Sequence, residues 1–344
     1  MNSHAFPSPR YPLIQAPMAG VQGSALALAV CRAGGIGSLP GAMLSPDALR
    51  QELDLLQAQA SGPYNVNFFC HTPPVAEPER EAAWLQRLAP FYAEMGLVPP
   101  SGPATAARAP FSAALAELLE AYRPPIVSFH FGLPESALLE RVKSWGSQVW
   151  SSATTVEEAR WLEAQGVDAV IAQGLEAGGH RGHFLSPDLT LQMGTFALVP
   201  QIVRAVGVPV IAAGGIADAA GVRAALALGA RAVQVGTAFL LCDEAQTSVL
   251  HRRALSGPQA HHTALTNVFT GRPARGIANR LMRELDYLCP QAPAFPLATS
   301  GMAALRAHAE AAGSSDFSPL WSGQNHQGCR AAPASEVVAA LMAR

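Results

Sequence analysis

Short apolar runs alternate with longer amphipathic segments along the first 240 residues of this 344-residue chain. Each run ends at glycine, proline or a polar side chain, as the buried strands of a parallel sheet do. The segments between the runs have helical spacing, and two of them begin with the capping residues Ser45 and Thr155. The pattern predicts eight strands, at residues 13–20, 34–39, 64–69, 126–129, 148–152, 169–172, 208–213 and 232–235.

Strict alternation of strands and helices predicts parallel pairing, and eight strands within ~230 residues favour a closed barrel. An open, doubly wound sheet is the alternative. It would place its glycine-rich turn after the first strand, whereas here glycine turns follow several strands. We therefore predict an α/β protein whose residues 1–240 form a (β/α)8 TIM barrel, with an inserted segment at 70–110.

The tail of the chain, residues 241–344, no longer alternates. Its pattern predicts helices at 243–255, 279–287, 300–312 and 334–344, separated by turn-rich stretches. Together with the segment inserted after the third strand, this tail is predicted to form a helical cap packed on the barrel mouth.

The composition narrows the class of protein. Hydrophobic residues make up 49% and charged residues 14%, so a large ordered core is expected. A net charge of −2 without a basic block argues against a nucleic-acid partner. No apolar run reaches the ~18 residues that span a bilayer. The five scattered cysteines fit a reducing cytoplasm, and the sequence leaves open whether the chain is a monomer or a homodimer.

The densest glycine loop follows the sixth predicted strand, where residues 173–183 read QGLEAGGHRGH. Such glycines let the backbone approach a bound group closely, and His180 places a titratable ring among them. In this fold the working residues lie at the carboxyl ends of the strands. The candidates at those ends are Met18, Asn67, His130, Gln173, Gly178, His180, Gly214, Gly215, Gln234, Val235, Gly236 and Thr237.

Glycine turns also follow the last two predicted strands, at residues 213–216 and 235–237. In many barrels these two loops bind a phosphate through backbone N–H groups and a helix N-terminus. Neither a catalytic lysine nor an acidic metal cluster accompanies the turns, so we expect a bound cofactor, FMN, and no metal. Asn67 and Gln173 would then bond the polar edge of its ring, and Met18 would pack on one face. The GxGxxG signature of tightly held NAD(P) is absent.

Five stretches resemble the nitronate monooxygenases, formerly called 2-nitropropane dioxygenases: residues 12–20, 173–180, 212–216, 266–276 and 320–324. The resemblance runs from about residue 13 to residue 324. It implies non-covalently bound FMN and oxidation of alkyl nitronates, such as propionate 3-nitronate, with O2 to a carbonyl compound and nitrite. The FMN contacts that it implies are Asn67, Gln173, Gly178, Gly215, Gln234, Val235, Gly236 and Thr237.

The resemblance also implies that His130 and His180 belong to the active site. An imidazole at His180 suits either of two tasks, because it can orient an anionic nitronate or serve as a base towards a neutral nitroalkane. A structural histidine bonded to a backbone carbonyl is the competing interpretation for both residues. His183 has no assigned role and is expected to face solvent or the loop.

Two other functions share the same glycine turns. One is an NAD(P)H-dependent flavin-barrel reductase acting on a quinone or an enoyl thioester. The other is a flavin-binding module without catalysis, which has no need of a histidine in the loop after the sixth strand.

Overall fold

The computed structural model describes residues 6–102, 104 and 108–343. Its strands are β1 (Leu13–Gln15), β2 (Gly37–Pro40), β3 (Tyr64–Phe69), β4 (Ile126–His130), β5 (Gln148–Ala153), β6 (Ala169–Gln173), β7 (Gly179–His180), β8 (Val210–Ala213), β9 (Ala232–Val235), β10 (Thr263–Thr266) and β11 (Ala274–Ile277). Its helices are α1 (Ser24–Arg32), α2 (Pro46–Gln59), α3 (Pro78–Glu94), α4 (Ala113–Glu120), α5 (Ser136–Ser144), α6 (Val156–Ala164), α7 (Thr195–Ala205), α8 (Ala219–Ala227), α9 (Val249–Ser256), α10 (Arg280–Glu284), α11 (Ala298–Ala311) and α12 (Ala334–Leu341).

Eight parallel strands form one sheet in the order β1-β9-β8-β6-β5-β4-β3-β2. The sheet closes where Ile14 of β1 bridges Ile36 in parallel, just before β2. Two backbone hydrogen bonds seal this seam, from Gln15 N to the Ile36 carbonyl at 2.9 Å and from Ile36 N to the Leu13 carbonyl at 2.8 Å. The predicted (β/α)8 barrel is therefore confirmed, and each of the eight predicted strands contributes to it.

The barrel interior is filled by apolar side chains, among which Trp150 of β5 is completely buried. Trp150 pairs with Ala169, the first residue of β6, so it lies near the end where the strands begin. The ring of Phe6 stacks on it at 5.4 Å between centroids. The N-terminal arm thus packs against the amino-terminal end of the barrel and leaves the opposite end for a ligand.

A second apolar core joins the inserted segment to the tail. Trp84 and Phe91 of α3 pack there with Met282 of α10 and with Leu305 of α11. The predicted cap from these two parts of the chain is present, and we use the name cap for α3, α10, α11 and their connections. Residues 103 and 105–107 of the inserted segment lie outside the described residues.

The tail differs from the prediction in three ways. Its turn-rich stretch contains β10 and β11, which form an antiparallel sheet with β7 in the order β10-β11-β7. Helix α9 begins at Val249 instead of residue 243, because the Ser248 hydroxyl caps it by accepting from His251 N at 3.3 Å. Helix α12 packs against α1 and α8, so it lies on the barrel wall, where the eighth helix belongs, and not on the mouth.

Among the described residues, none of the helices has the length and apolar character needed to cross a membrane.

Candidate active site

A cavity of about 290 Å³ opens at the carboxyl ends of the barrel strands. Every residue predicted for the site lines it: Met18, Asn67, His130, Gln173, Gly178, His180, Gly214, Gly215, Gln234, Val235, Gly236 and Thr237. The structure thus brings together side chains and turns from six barrel strands and from β7. Their individual roles stay predictions.

The loop after β6 folds back onto its own strand through Arg181, whose side chain is fully buried. Its Nη1 donates to the Gly174 carbonyl at 2.7 Å and its Nη2 donates to the Gln173 carbonyl at 2.9 Å. Its Nε donates to Gln192 Oε1 at 2.7 Å. Burial lowers the pKa of the Arg181 guanidinium to about 9. With three protein partners, this arginine shapes the loop and does not line the cavity.

The tail holds the other side of the same loop. His180 of β7 lies opposite Ala274 of β11, and Arg181 N donates to the Pro273 carbonyl at 2.8 Å. The side chain of Arg272 also binds the loop, because its Nε donates to the Arg181 carbonyl at 3.2 Å. Its guanidinium carbon lies 4.1 Å from the centroid of Phe131. The tail therefore holds the loop through both main-chain and side-chain contacts.

His180 is held through its main chain. Its carbonyl accepts from Gln173 Nε2 at 3.0 Å and from His130 Nε2 at 3.1 Å. Its own Nε2 lies 2.9 Å from the hydroxyl oxygen of Thr270. Burial, followed by the charge of Arg108, holds the pKa of His180 well below its usual range. The lowered pKa keeps the His180 imidazole neutral at physiological pH and makes it a weak base.

Both ring nitrogens of His130 lie within hydrogen-bonding distance of protein groups. Its Nε2 faces the His180 carbonyl, so this nitrogen carries the hydrogen, and its Nδ1 lies 2.5 Å from Ser152 Oγ. Burial and the charge of Arg272 lower the pKa of His130 to about 3. This geometry suits a histidine that positions His180, which is the structural alternative left open by the sequence.

His183 is buried, so it does not face solvent, which is one of the two positions expected for it. Its carbonyl accepts a hydrogen bond from Arg272 Nη2, which draws the chain inward after Gly182. Burial, Arg272 and Arg181 lower the pKa of His183 to about 3.

The two amides predicted for the ring edge already have protein partners. Asn67 Nδ2 donates to Ser128 Oγ at 2.9 Å. Gln173 accepts from Gly182 N at 2.8 Å on Oε1 while its Nε2 bonds the His180 carbonyl. Gln173 thus also positions the loop, and an amide hydrogen and a lone pair remain for a ligand.

The glycine turns after β8 and β9 form the other wall of the cavity. Gly214 and Gly215 have φ of +122° and +71°, which a residue with a side chain rarely adopts. The N–H groups of Gly215, Gly236 and Thr237 donate to no acceptor among the described residues. At the N-terminus of α8, the Asp218 carboxylate accepts from Gly221 N at 2.7 Å, so this N–H group already has a protein partner. The part of the helix N-terminus in phosphate binding stays a prediction.

The sequence missed the parts of the cavity that come from the cap and the tail. These are Arg108, His251, Arg306, Pro319, Trp321, Gly323 and Asn325. Gly323 N donates to Thr237 Oγ1 at 2.9 Å, and Asn325 Nδ2 donates to the Gly215 carbonyl at 3.2 Å. Only residues 320–324 carried a signal, through the family resemblance. Nothing in the local sequence marks Arg108.

The chain is similar to known proteins over nearly its whole length. A sequence profile described as nitronate monooxygenase matches residues 4–344. The chain is 44% identical over 333 residues to a nitronate monooxygenase of Paraburkholderia phytofirmans, covering 96% of this chain and 91% of that protein. It is 43% identical to a nitronate monooxygenase of Pseudomonas aeruginosa, with coverage of 96% and 95%.

Among solved structures, the chain is similar to a nitroalkane oxidase from Streptomyces ansochromogenes. The TM-score is 0.87 at 40% identity, covering 96% of this chain and 94% of the other. FabK from Thermotoga maritima has a TM-score of 0.71 at 27% identity, covering 96% of this chain and 91% of that one. The fold and its relatives define a flavin-dependent oxidoreductase built on a (β/α)8 barrel. Within that class, the chain belongs to the nitronate monooxygenase family.

The buried histidines make stability depend on pH. An unfolded histidine has a pKa of about 6.5, whereas that of folded His183 is about 3. Between these values the unfolded chain binds a proton that the folded chain does not, so the free energy of unfolding falls as the pH falls. We expect His183→Gln to make this fall less steep, by up to ~1.4 kcal/mol per pH unit.

Urea unfolding at pH 6.5, 5.5 and 4.5 measures how steeply the free energy of unfolding changes with pH in the wild type and in His183→Gln. At pH 8 the ring is neutral in both states, so data there give the effect of the substitution without proton linkage. Equal slopes for variant and wild type would show that His183 takes up its proton equally in the folded and the unfolded chain.

Proposed function

We propose that this protein binds FMN non-covalently and oxidises alkyl nitronates with O2 to a carbonyl compound and nitrite. One observation carries the proposal: neutral His180 lies in a cavity whose charged side chains, among the described residues, are the cations Arg108 and Arg306. Such a cavity attracts an anion, and a nitronate is one. The nitronate monooxygenases and the nitroalkane oxidase to which the chain is similar support the same activity.

The turns after β8 and β9 fit the phosphate of FMN. Gly215, Gly236 and Thr237 line the same cavity there, and their backbone N–H groups have no acceptor in the part of the chain that the structure describes. Gln234 Oε1 is buried and has no partner among the described residues, so it is an acceptor free for a ligand. When bound, the flavin supplies the two-electron acceptor for the nitronate and the electron donor for O2.

His180 would hold the substrate beside the flavin. A nitronate is already a carbanion equivalent, so its oxidation needs no proton abstraction. It needs a donor for its anionic oxygens. Because His180 Nε2 lies 2.9 Å from the Thr270 hydroxyl, the tautomer that can supply this donor carries its hydrogen on Nδ1. In that tautomer the Thr270 hydroxyl donates to His180 Nε2.

The surroundings of His180 keep water away from the reacting atoms. The rings of Phe295 and Trp321 lie 5.3 Å and 5.5 Å from the imidazole, between centroids. Phe131 lies edge-on at 6.0 Å. In this apolar setting a hydrogen bond to the anion is stronger than in water. His130 would act indirectly, by holding the His180 main chain.

Anaerobic mixing with propionate 3-nitronate tests the activity directly. We expect the flavin absorbance to bleach within one turnover, and to return when O2 is admitted with release of nitrite. Rapid bleaching by NADPH without any reaction with the nitronate would instead support the flavin-barrel reductase. A protein that binds flavin and reacts with neither would be the non-catalytic module.

A substitution at Gly215 tests the predicted binding of FMN. The wild type is expected to release FMN on denaturation, and Gly215→Leu is expected to lose most of its flavin. A Cβ there would lie 3.3 Å from Glu176 Cβ, and a leucine would crowd the turn beneath the phosphate. Chromatography of the released flavin, with its ratio to protein, measures both results.

Gly313→Leu is the matched control. Gly313 also has a left-handed backbone, with φ of +77°, but has open space around it and does not line the cavity. It should keep its flavin while losing similar stability. Release of FAD, or full occupancy in folded Gly215→Leu, would place the phosphate away from this turn.

The two possible tasks of His180 are separated by His180→Asn. Asparagine keeps a donor but cannot act as a base, so turnover of propionate 3-nitronate should fall only about ten- to 150-fold, as expected for one weakened hydrogen bond to an anion. Any turnover of a neutral nitroalkane should fall by a further ~10²–10⁴-fold. Oxygen consumption per bound flavin measures both. Small and equal losses would make His180 a structural residue.

A further inference from the structure

The charged groups of the cavity are all positive. Among the described residues that line it, only Arg108 and Arg306 carry a charge outright, and no aspartate or glutamate does. The turns proposed for the FMN phosphate line the same cavity, so the surroundings of each arginine decide which anion it can bind.

The two arginines differ in what they already bind. Arg306 is exposed, and its Nε donates to Glu310 Oε1 at 2.7 Å, so its charge is paired. Arg108 forms no ion pair with any described residue, and its Nη1 is buried without a hydrogen-bond acceptor. A guanidinium stays charged, and burying one of its donors unpaired is costly unless a ligand completes it.

Arg108 also lies close to the place where the nitronate would bind. Its guanidinium carbon is 5.5 Å from the centroid of Phe295, and the imidazole of His180 is 5.3 Å from the same ring. Of the charged groups that lower the pKa of His180, Arg108 has the largest effect. A short substrate held at His180 would extend past Phe295 to Arg108.

We propose that Arg108 determines specificity by binding a second anionic group, a carboxylate, on the carbon chain of the nitronate. This inference rests on the proposed function, because His180 must hold the nitronate end. A carboxylate matches the fork of guanidinium donors and supplies the acceptor that Nη1 lacks. A chain ending in an alkyl group would leave that donor buried and unpaired.

Two nitronates of equal shape test the proposal. Propionate 3-nitronate carries the carboxylate, and the nitronate of 3-methyl-1-nitrobutane has an isopropyl group in its place. We expect Arg108→Met to lower kcat/KM for the first by about 10- to 100-fold, mainly through KM, and to change the second less than about threefold. Arg108→Lys should recover part of the loss, since it restores the charge but not the fork.

Two other arginines serve as comparisons. Arg306→Met changes the paired arginine of the same cavity, and Arg87→Met changes an exposed arginine on α3 that does not line it. Arg87→Met should not discriminate between the two nitronates. Arg306→Met should discriminate less than Arg108→Met, because its charge is already paired with Glu310. Equal losses on both substrates in Arg108→Met, or a selective loss in Arg306→Met as large as that in Arg108→Met, would overturn the proposal.

A binding measurement separates this inference from the proposed activity. Succinate has the length and two charges of propionate 3-nitronate but is not oxidised, and butyrate lacks the second charge. Titration of the flavin-loaded protein should show succinate binding at least about tenfold more tightly than butyrate, with the difference lost in Arg108→Met. If neither nitronate is oxidised but this difference holds, the activity fails and the anion site stands. No difference in the wild type would overturn the anion site.

Discussion

Arg181 donates from three guanidinium nitrogens to the carboxyl end of β6 and to Gln192, and its side chain is completely buried. Such a cation is tolerated in the interior only because each of these nitrogens has an acceptor, and removing one partner would leave the charge uncompensated. The arrangement turns the chain back beneath its own strand. That turn brings the His180 main chain to Gln173 and His130, so the position of the histidines depends on this side chain.

The electrostatics of the site follow from the same packing. Burial removes the water that would solvate an imidazolium, and Arg272 and Arg181 place positive charge near His130 and His183. The pKa values of His130 and His183 are lowered to about 3, and that of His180 also lies well below its usual range. A cavity with neutral rings and unpaired cationic donors favours an anion over a cation or a neutral molecule. The same lowered pKa values reduce the free energy of unfolding at low pH.

The tail contacts the barrel and its loops at three separate places. Strand β11 pairs with the loop after β6, residues 323–325 bond the turns after β8 and β9, and α12 packs on the wall between α8 and α1. A typical barrel builds its active site from its own βα loops. Here those loops are held in place by a segment that arrives after the last strand, which couples the integrity of the site to the folding of the tail.

By itself the sequence determined the barrel, because strand periodicity and glycine turns are local signals that neighbouring residues carry together. It also placed His180 and Gly215 at the cavity, since strand ends meet on one face of the barrel. Tertiary structure alone decided which groups His180 touches: Thr270 is 90 residues away and His130 is 50. It likewise decided the pairing of β7 with β11, the burial of His183 and the position of Arg108. Such contacts depend on packing between distant segments, which no local pattern encodes.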